Sequence, residues 1–119
     1  MKKIITLTLF ILGFTTQLFA QEQLVKKQVA DNLFERYEYA KAVVIYLDLA
    51  GKNNNKIQVI ERIADCYRLI NDYDNSEKWY QKTVGNPEAA TIDAYYYAEA
   101  LLRNKKFDEA REQYKQYYA

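Results

Sequence analysis

Histidine is absent from this sequence, while cysteine, proline, tryptophan and methionine occur once each and glycine three times. Each shortage excludes something. Without His there is no imidazole acid–base chemistry, no His-bearing catalytic triad and no His–metal centre. The single Cys66 allows neither an internal disulfide nor a Cys-cluster metal site. Gly13, Gly51 and Gly85 lie too far apart to form a phosphate-cradling loop or a dinucleotide fingerprint. No cofactor or metal is therefore expected. Chain breakers are equally scarce. An all-β domain needs turn clusters at intervals of about 8–12 residues, and their absence predicts long helices with short connections. An excess of one charge is missing too: 17 Lys+Arg face 16 Asp+Glu, for a net charge of +1. That balance gives no reason to expect nucleic acid or an anionic membrane surface as partner.

What is present is an apolar half and an excess of tyrosine, 12 of 119 residues. The length suits one small domain. Its first segment reads as an address. Lys2 and Lys3 precede an apolar run from Ile4 to Phe14, polar Thr15-Thr16-Gln17 follows, and Leu18-Phe19-Ala20 ends on a small residue. This is the layout of a signal peptide with cleavage expected after Ala20. The run of 11 residues from Ile4 to Phe14 falls short of the about 20 that a spanning helix needs. Removal of residues 1–20 takes away two lysines and no acids, leaving 15 basic and 16 acidic residues and a net charge of −1.

The remaining chain, residues 21–119, repeats itself every 34 residues. Ala30, Ala64 and Ala98 form one column, and Leu33, Tyr67 and Leu101 another. Tyr39, Tyr73 and Phe107 supply an aromatic residue after a polar turn; Ala42, Ser76 and Ala110 a small one; Tyr46, Tyr80 and Tyr114 a further aromatic. Alanine lets two helices approach closely, and the aromatic residues fill the wedge their crossing leaves. Helices are expected at about 22–36, 39–50, 57–70, 74–84, 90–104 and 107–118 from hydrophobic spacing of three and four. Gly51-Lys52-Asn53-Asn54-Asn55 and Gly85-Asn86-Pro87 supply turn chemistry between repeats.

The period and these columns resemble the tetratricopeptide repeat (TPR), a pair of antiparallel helices. The resemblance covers residues 23–119 as repeats 23–56, 57–90 and 91–119, the last incomplete. It implies an all-α fold, a short right-handed solenoid of about six helices after the signal peptide. Helix A of each repeat would line a concave groove that takes partner segments. Groove candidates by register are Lys27, Glu61 and Tyr95; Asp31, Asp65 and Glu99; and Phe34 and Arg68. In the run Tyr95-Tyr96-Tyr97 successive residues splay about 100° apart. Tyr95 and Tyr96 therefore reach toward the groove and Tyr97 inward, with core packing as the alternative for the run. A mixed acidic and aromatic groove suits a partner carrying Lys or Arg. The alternative for Asp31 and Asp65 is simple surface pairing with Lys27, Arg62 or Arg68. Chaperone-binding members of the family hold a C-terminal carboxylate with two Lys, an Arg and two Asn. The positions here are Lys27, Asp31, Arg62, Ile92 and Tyr96, of which Lys27 alone matches, so no such clamp is expected.

Tyr114, Tyr117 and Tyr118 crowd the last helix and call for a cover, from further chain or from a second copy. The layout also resembles the N-terminal region of outer-membrane-protein-A-family envelope proteins of flavobacteria-like bacteria. The Lys-Lys start, the Phe19-Ala20-Gln21 cut, Ala30-Asp31-Asn32-Leu33-Phe34, Tyr39-Ala40-Lys41-Ala42 and Tyr46 carry that likeness. It implies an exported, peptidoglycan-associated protein of the periplasm or the periplasmic face of the outer membrane, whose propeller-like and wall-binding parts are not among these residues. Three functional readings follow. One is a non-enzymatic interaction module for envelope proteins, and the second is a structural element that self-associates through its last helix. The third, a hydrolase of envelope polymers, finds no catalytic constellation. Ser76 sits in a packing column with no base, and Asp72 and Asp74 sit in a turn.

Overall fold

Six α-helices and no strand occur among the described residues of the computed structural model, which are 1–52 and 55–119. They are α1 (Lys2–Glu35), α2 (Tyr39–Gly51), α3 (Ile57–Leu69), α4 (Tyr73–Thr83), α5 (Asp93–Arg103) and α6 (Phe107–Tyr118). Each packs on its successor, and α3 also meets α5. The result is an all-α row of helix pairs. Asn53 and Asn54 of the expected turn between the first two repeats lie outside the described residues.

The boundaries follow the spacing except at α1 and α5. Helix α1 starts at Lys2 rather than near residue 22, so the apolar leader and the first helix A form one rod. Local chemistry explains the continuity. The segment has no proline and Gly13 as its one glycine, and Thr8, Thr15 and Thr16 return their hydroxyls to carbonyls of the preceding turn at 2.8–2.9 Å. None of residues 1–22 is buried. Among the described residues α1 is the one helix long and apolar enough to cross a membrane, a longer stretch than the Ile4–Phe14 run suggested. Helix α5 begins at Asp93 instead of about residue 90, because turns fill the stretch around Pro87.

The repeat columns become the core. Ala30, Ala64, Ala98, Ala42, Ser76, Tyr46 and Tyr80 are fully buried, and Ala110 nearly so. Tyr39, Tyr73 and Tyr114 are half-buried. Phe107 departs from the expected packing role: it is 58% exposed. Its counterparts Tyr39 and Tyr73 rest beside a neighbouring ring or guanidinium, Phe34 at 5.1 Å and Arg103 at 5.5 Å. Between repeats, Glu77 accepts hydrogen bonds from Asn104 Nδ2 and Lys106 Nζ, which ties α4 to the α5–α6 turn.

Helix A ends the same way three times. Tyr37, Asn71 and Lys105, one full period apart, have φ of 63°, 62° and 62°. In each, this residue donates its N–H to the carbonyl three back, and the next residue donates to the carbonyl five back. The pairs are Tyr37 to Phe34 and Glu38 to Leu33; Asn71 to Arg68 and Asp72 to Tyr67; and Lys105 to Leu102 and Lys106 to Leu101. This is the Schellman arrangement, for which glycine is best suited and asparagine tolerated. Tyr37, otherwise unexplained and 79% exposed, is thus a backbone device in an ill-suited residue type. The left-handed region costs an L-residue about 1–2 kcal/mol, part of which glycine's greater unfolded freedom offsets. Tyr37→Gly is expected to stabilise the fold by about 0.5–1 kcal/mol, measured as a shift of the urea midpoint at constant slope. A fall in the midpoint would contradict this assignment.

Candidate functional site

Helix α3 is two-faced. Val59, Ile63 and Cys66 turn into the first core cluster, while Gln58, Glu61, Arg62, Asp65, Arg68 and Leu69, spaced by three and four, share the other side. That side forms the floor of a cleft of about 520 Å³. Phe34 from α1 closes one end, and Ala90 and Ile92 from the turn before α5, with Asp93 and Tyr96 of α5, close the other. All three helix A segments therefore contribute.

Two arginines line it in fixed positions. Arg62 lies over the Phe34 ring, 4.3 Å from its centroid, and Arg68 over Tyr96 at 3.8 Å. Cation–π stacking of this kind contributes on the order of 0.5–2 kcal/mol, more as water is excluded. Asp65 stands between the arginines, 3.9 Å from Arg62 and 3.7 Å from Arg68. The same carboxylate accepts the hydroxyl of buried Tyr80, whose oxygen also accepts from Arg68 Nε at 3.0 Å. Repeat one copies the motif at the same separation of 15 residues, with the Tyr46 hydroxyl donating to Asp31. Burial, and then the neighbouring carboxylate, push both phenols far above their usual range, so they remain donors at any physiological pH. Burial works against the ionised Asp31, but hydrogen bonds from Lys27 and Tyr46 outweigh it and hold its carboxyl below the usual range. In repeat three burial raises the Tyr114 phenol, with smaller contributions from Tyr95 and Glu99.

The acidic column thus has a packing function that the sequence reading did not assign. Asp31 and Asp65 orient the buried tyrosines, and they also make the surface pairs: Lys27 Nζ reaches Asp31 at 2.7 Å. Of the nine groove candidates, Phe34, Glu61, Asp65, Arg68 and Tyr96 meet around the one cleft. Lys27 and Asp31 line a shallower hollow of about 280 Å³ with Leu24 and Gln28. Tyr95 is directed toward α6, 5.5 Å from both Tyr114 and Tyr117, and Glu99 lines neither cavity. Of the five clamp positions, Arg62, Ile92 and Tyr96 line the cleft, while Lys27 and Asp31 pair with each other. Cys66 is fully buried, and burial followed by the charge of Asp65 pushes its thiol up to about 12, far from a reactive thiolate.

One residue of the cleft escaped the sequence reading altogether. Asp93, the first residue of α5, is 4% exposed; Thr83 lies beside its carboxyl, but its Oδ2 meets no hydrogen-bond donor among the described residues. Its carboxyl contacts that of Glu61, whose Oε1 accepts the Ala90 N–H at 2.7 Å. A helix N-terminus favours an ionised carboxyl, but burial and then Glu61 prevail and raise Asp93 to about 7. Its acidity is therefore stronger in the unfolded chain than in the folded one. Below the unfolded value both states hold the proton, and stability is lost as pH rises toward the folded value near 7. We expect wild-type stability to fall from pH 5 to pH 8. Asp93→Asn, always neutral, should flatten that slope and gain at least about 1 kcal/mol at pH 8 relative to pH 5. Urea titrations at the two pH values read this directly, and parallel profiles for the two proteins would refute it.

No family model and no curated protein matches the chain. Among solved structures it is similar to the C-terminal part of a TPR repeat-containing protein from Cytophaga hutchinsonii, with 28% identity and a TM-score of 0.66. The match covers 76% of this chain and spans 36% of that one. Helix pairs at a period of 34 residues, buried Ala and Tyr columns and this structural neighbour agree: the fold is TPR-like, an architecture generally used to bind other proteins.

Proposed function

We propose that this chain is a non-enzymatic protein-interaction module that binds a partner segment along the helix A cleft. The observation that carries the reading is the cleft itself. Three successive repeats supply its walls, and its arginines are already stacked and paired, so the surface is held ready before a partner arrives. Preorganisation of this kind lowers the ordering cost of association. A library of random peptides displayed against the full chain in mild detergent tests it. Enriched peptides that lose binding on Tyr96→Ala together with Arg62→Ala support the cleft; no enrichment, or binding indifferent to both changes, sinks the proposal.

We further propose that the module works in the bacterial cell envelope, as the N-terminal part of an outer-membrane-protein-A-like, peptidoglycan-associated protein. Support comes from Lys2 and Lys3, the exposed apolar face of residues 4–19, and Ala20 before Gln21. In this reading export removes residues 1–20 and releases residues 21–119 to the periplasm or the periplasmic face of the outer membrane. Mass spectrometry of the protein recovered from its own cells should find Gln21 at the N-terminus; an intact Met1 or Lys2 start would overturn export by cleavage.

A second reading is self-association through α6. It is favoured by one observation: Leu102, Phe107, Tyr114 and Tyr118 line an apolar hollow of about 500 Å³, with Phe107 and Tyr118 58% and 73% exposed. Tyr117 joins this end through Tyr118, with ring centroids 4.9 Å apart. Sedimentation of the full chain should then show a dimer that Phe107→Ser with Tyr118→Ser dissolves, and an unchanged state in the double variant would reject it.

A further inference from the structure

The polar groups of the cleft are almost all satisfied internally. Arg68 is held by Tyr80, Asp65 and Tyr96, Arg62 by Phe34 and Asp65, and Asp65 by Tyr80. The exception is the carboxyl pair on the α5 side. Asp93 is 4% exposed, lines the cleft, and keeps one oxygen without a donor among the described residues, beside the Glu61 carboxyl. A buried acceptor without a donor costs stability, and two carboxyls in contact must share a proton unless a cation joins them. The cleft thus holds a site where a proton stands in for a cation, and Arg62 and Arg68, the cations among its described lining residues, are engaged elsewhere.

Resting on the cleft as the binding surface, we propose that the Glu61–Asp93 pair is a socket for the cationic head of one basic side chain, lysine or arginine, of the partner segment. Chemistry selects this occupant over a metal ion. Ca²⁺ takes about 6–8 oxygen ligands and Mg²⁺ a near-ideal octahedron, and no group of three or more metal-ligating side chains gathers among the described residues. An ammonium or guanidinium needs no such shell. It donates to the free Asp93 oxygen and to Glu61 while its alkyl stem lies along Leu69, Ile92 and Ala90, which line the same cleft.

Occupation has a proton consequence. The groups facing Asp93 are Glu61 and Asp65 of α3 and Thr83 of α4, with Gln116 and Tyr117 of α6 in the adjoining hollow. Arg62, Arg68 and Tyr96 share the cleft but are engaged elsewhere. A cation entering the pair displaces its shared proton to solvent, one proton for one cation. Affinity therefore rises as pH rises through the Asp93 range, by about tenfold between pH 6 and pH 8.

The probes are N-acetyl-lysine methylamide, its arginine counterpart and its norleucine counterpart, titrated into the full chain and followed by NMR at the Ala90 amide and the Asp93 carboxyl carbon. Saturable shifts are expected with the lysine or arginine compound and not with norleucine, tighter at pH 8 than at pH 6. Asp93→Asn should weaken them at least tenfold. Glu61→Gln should do the same while retaining an acceptor for the Ala90 amide, which guards against loss of fold in the first variant. Equal shifts with norleucine, no saturable shift with any compound, or unchanged affinity in both variants would overturn the socket. Failure here is separable from failure of the cleft: displayed peptides that bind the cleft yet carry no Lys or Arg leave the cleft standing and sink the socket, whereas no cleft-binding peptide sinks both.

Discussion

Replacing Tyr80 by alanine should unfold this protein further than any other single change in the second repeat. Tyr80 is fully buried in the core cluster that also holds Ala64, Tyr97 and Leu101, so truncation opens a cavity where α4 packs on α3 and α5. Deleting a buried aromatic ring costs about 3–5 kcal/mol. A polar loss adds to it. The Tyr80 hydroxyl donates to Asp65 and accepts from Arg68, and without it that half-buried carboxylate and guanidinium keep only the longer 3.7–3.9 Å ion pairs and the stacking of Arg68 on Tyr96. Because a domain of this size has only about 5–15 kcal/mol in total, a melting temperature lower by well over 10 °C is expected, at about 4–8 °C per kcal/mol. Tyr80→Phe separates the two parts. It keeps the ring and should lose about 1–3 kcal/mol from the hydroxyl alone. Equal losses for Ala and Phe would mean that the cavity contributes nothing, contrary to the packing described.

The second large effect is expected from enlargement rather than deletion. Ala64 is fully buried and packs among Tyr80, Tyr97 and Leu101. A leucine there must push α3 away from its neighbours or force a strained rotamer, at about 1–3 kcal/mol. Ala30 and Ala98 are equally enclosed, so the same change in those repeats should produce comparable losses in chemical denaturation. Val44, 65% exposed on α2, supplies the control, since Val44→Leu should shift stability by no more than about 0.5 kcal/mol. If Ala64→Leu matched that control, the close approach of helices through the alanine column would be wrong.

The period of 34 made the helix pairs readable because each column repeats one size of side chain, and size is what packing selects. Helix ends were less readable. Tyr37, Asn71 and Lys105 share a left-handed backbone, yet Tyr and Lys carry no compositional sign of it. Asn71 is of a type that tolerates this region, and nothing in the residue types at 37 and 105 marks it. The length of α1 was hidden because a leader followed by a helix has no breaker between them. Register brings Phe34, Glu61, Asp65 and Arg68 to one side of the helix A row, where the cleft lies, and Tyr96 of the tyrosine run joins them. Tyr95 does not, because its aromatic partners Tyr114 and Tyr117 draw it to α6. Asp93 escaped for a geometric reason: it pairs with Glu61 across the junction of two repeats, out of register with every column, and no pattern within one repeat marks it.

The claim that most needs a direct measurement is that partner segments lie in the helix A cleft. A photoreactive benzophenone side chain placed at Leu69, inside the cleft, or at Val44, exposed on α2 and outside it, makes the comparison in one protein. Mixed with a displayed-library peptide and irradiated, the full chain is expected to crosslink from position 69, in competition with unlabelled peptide, and not from position 44. Crosslinking from position 44 with none from position 69 would contradict the account.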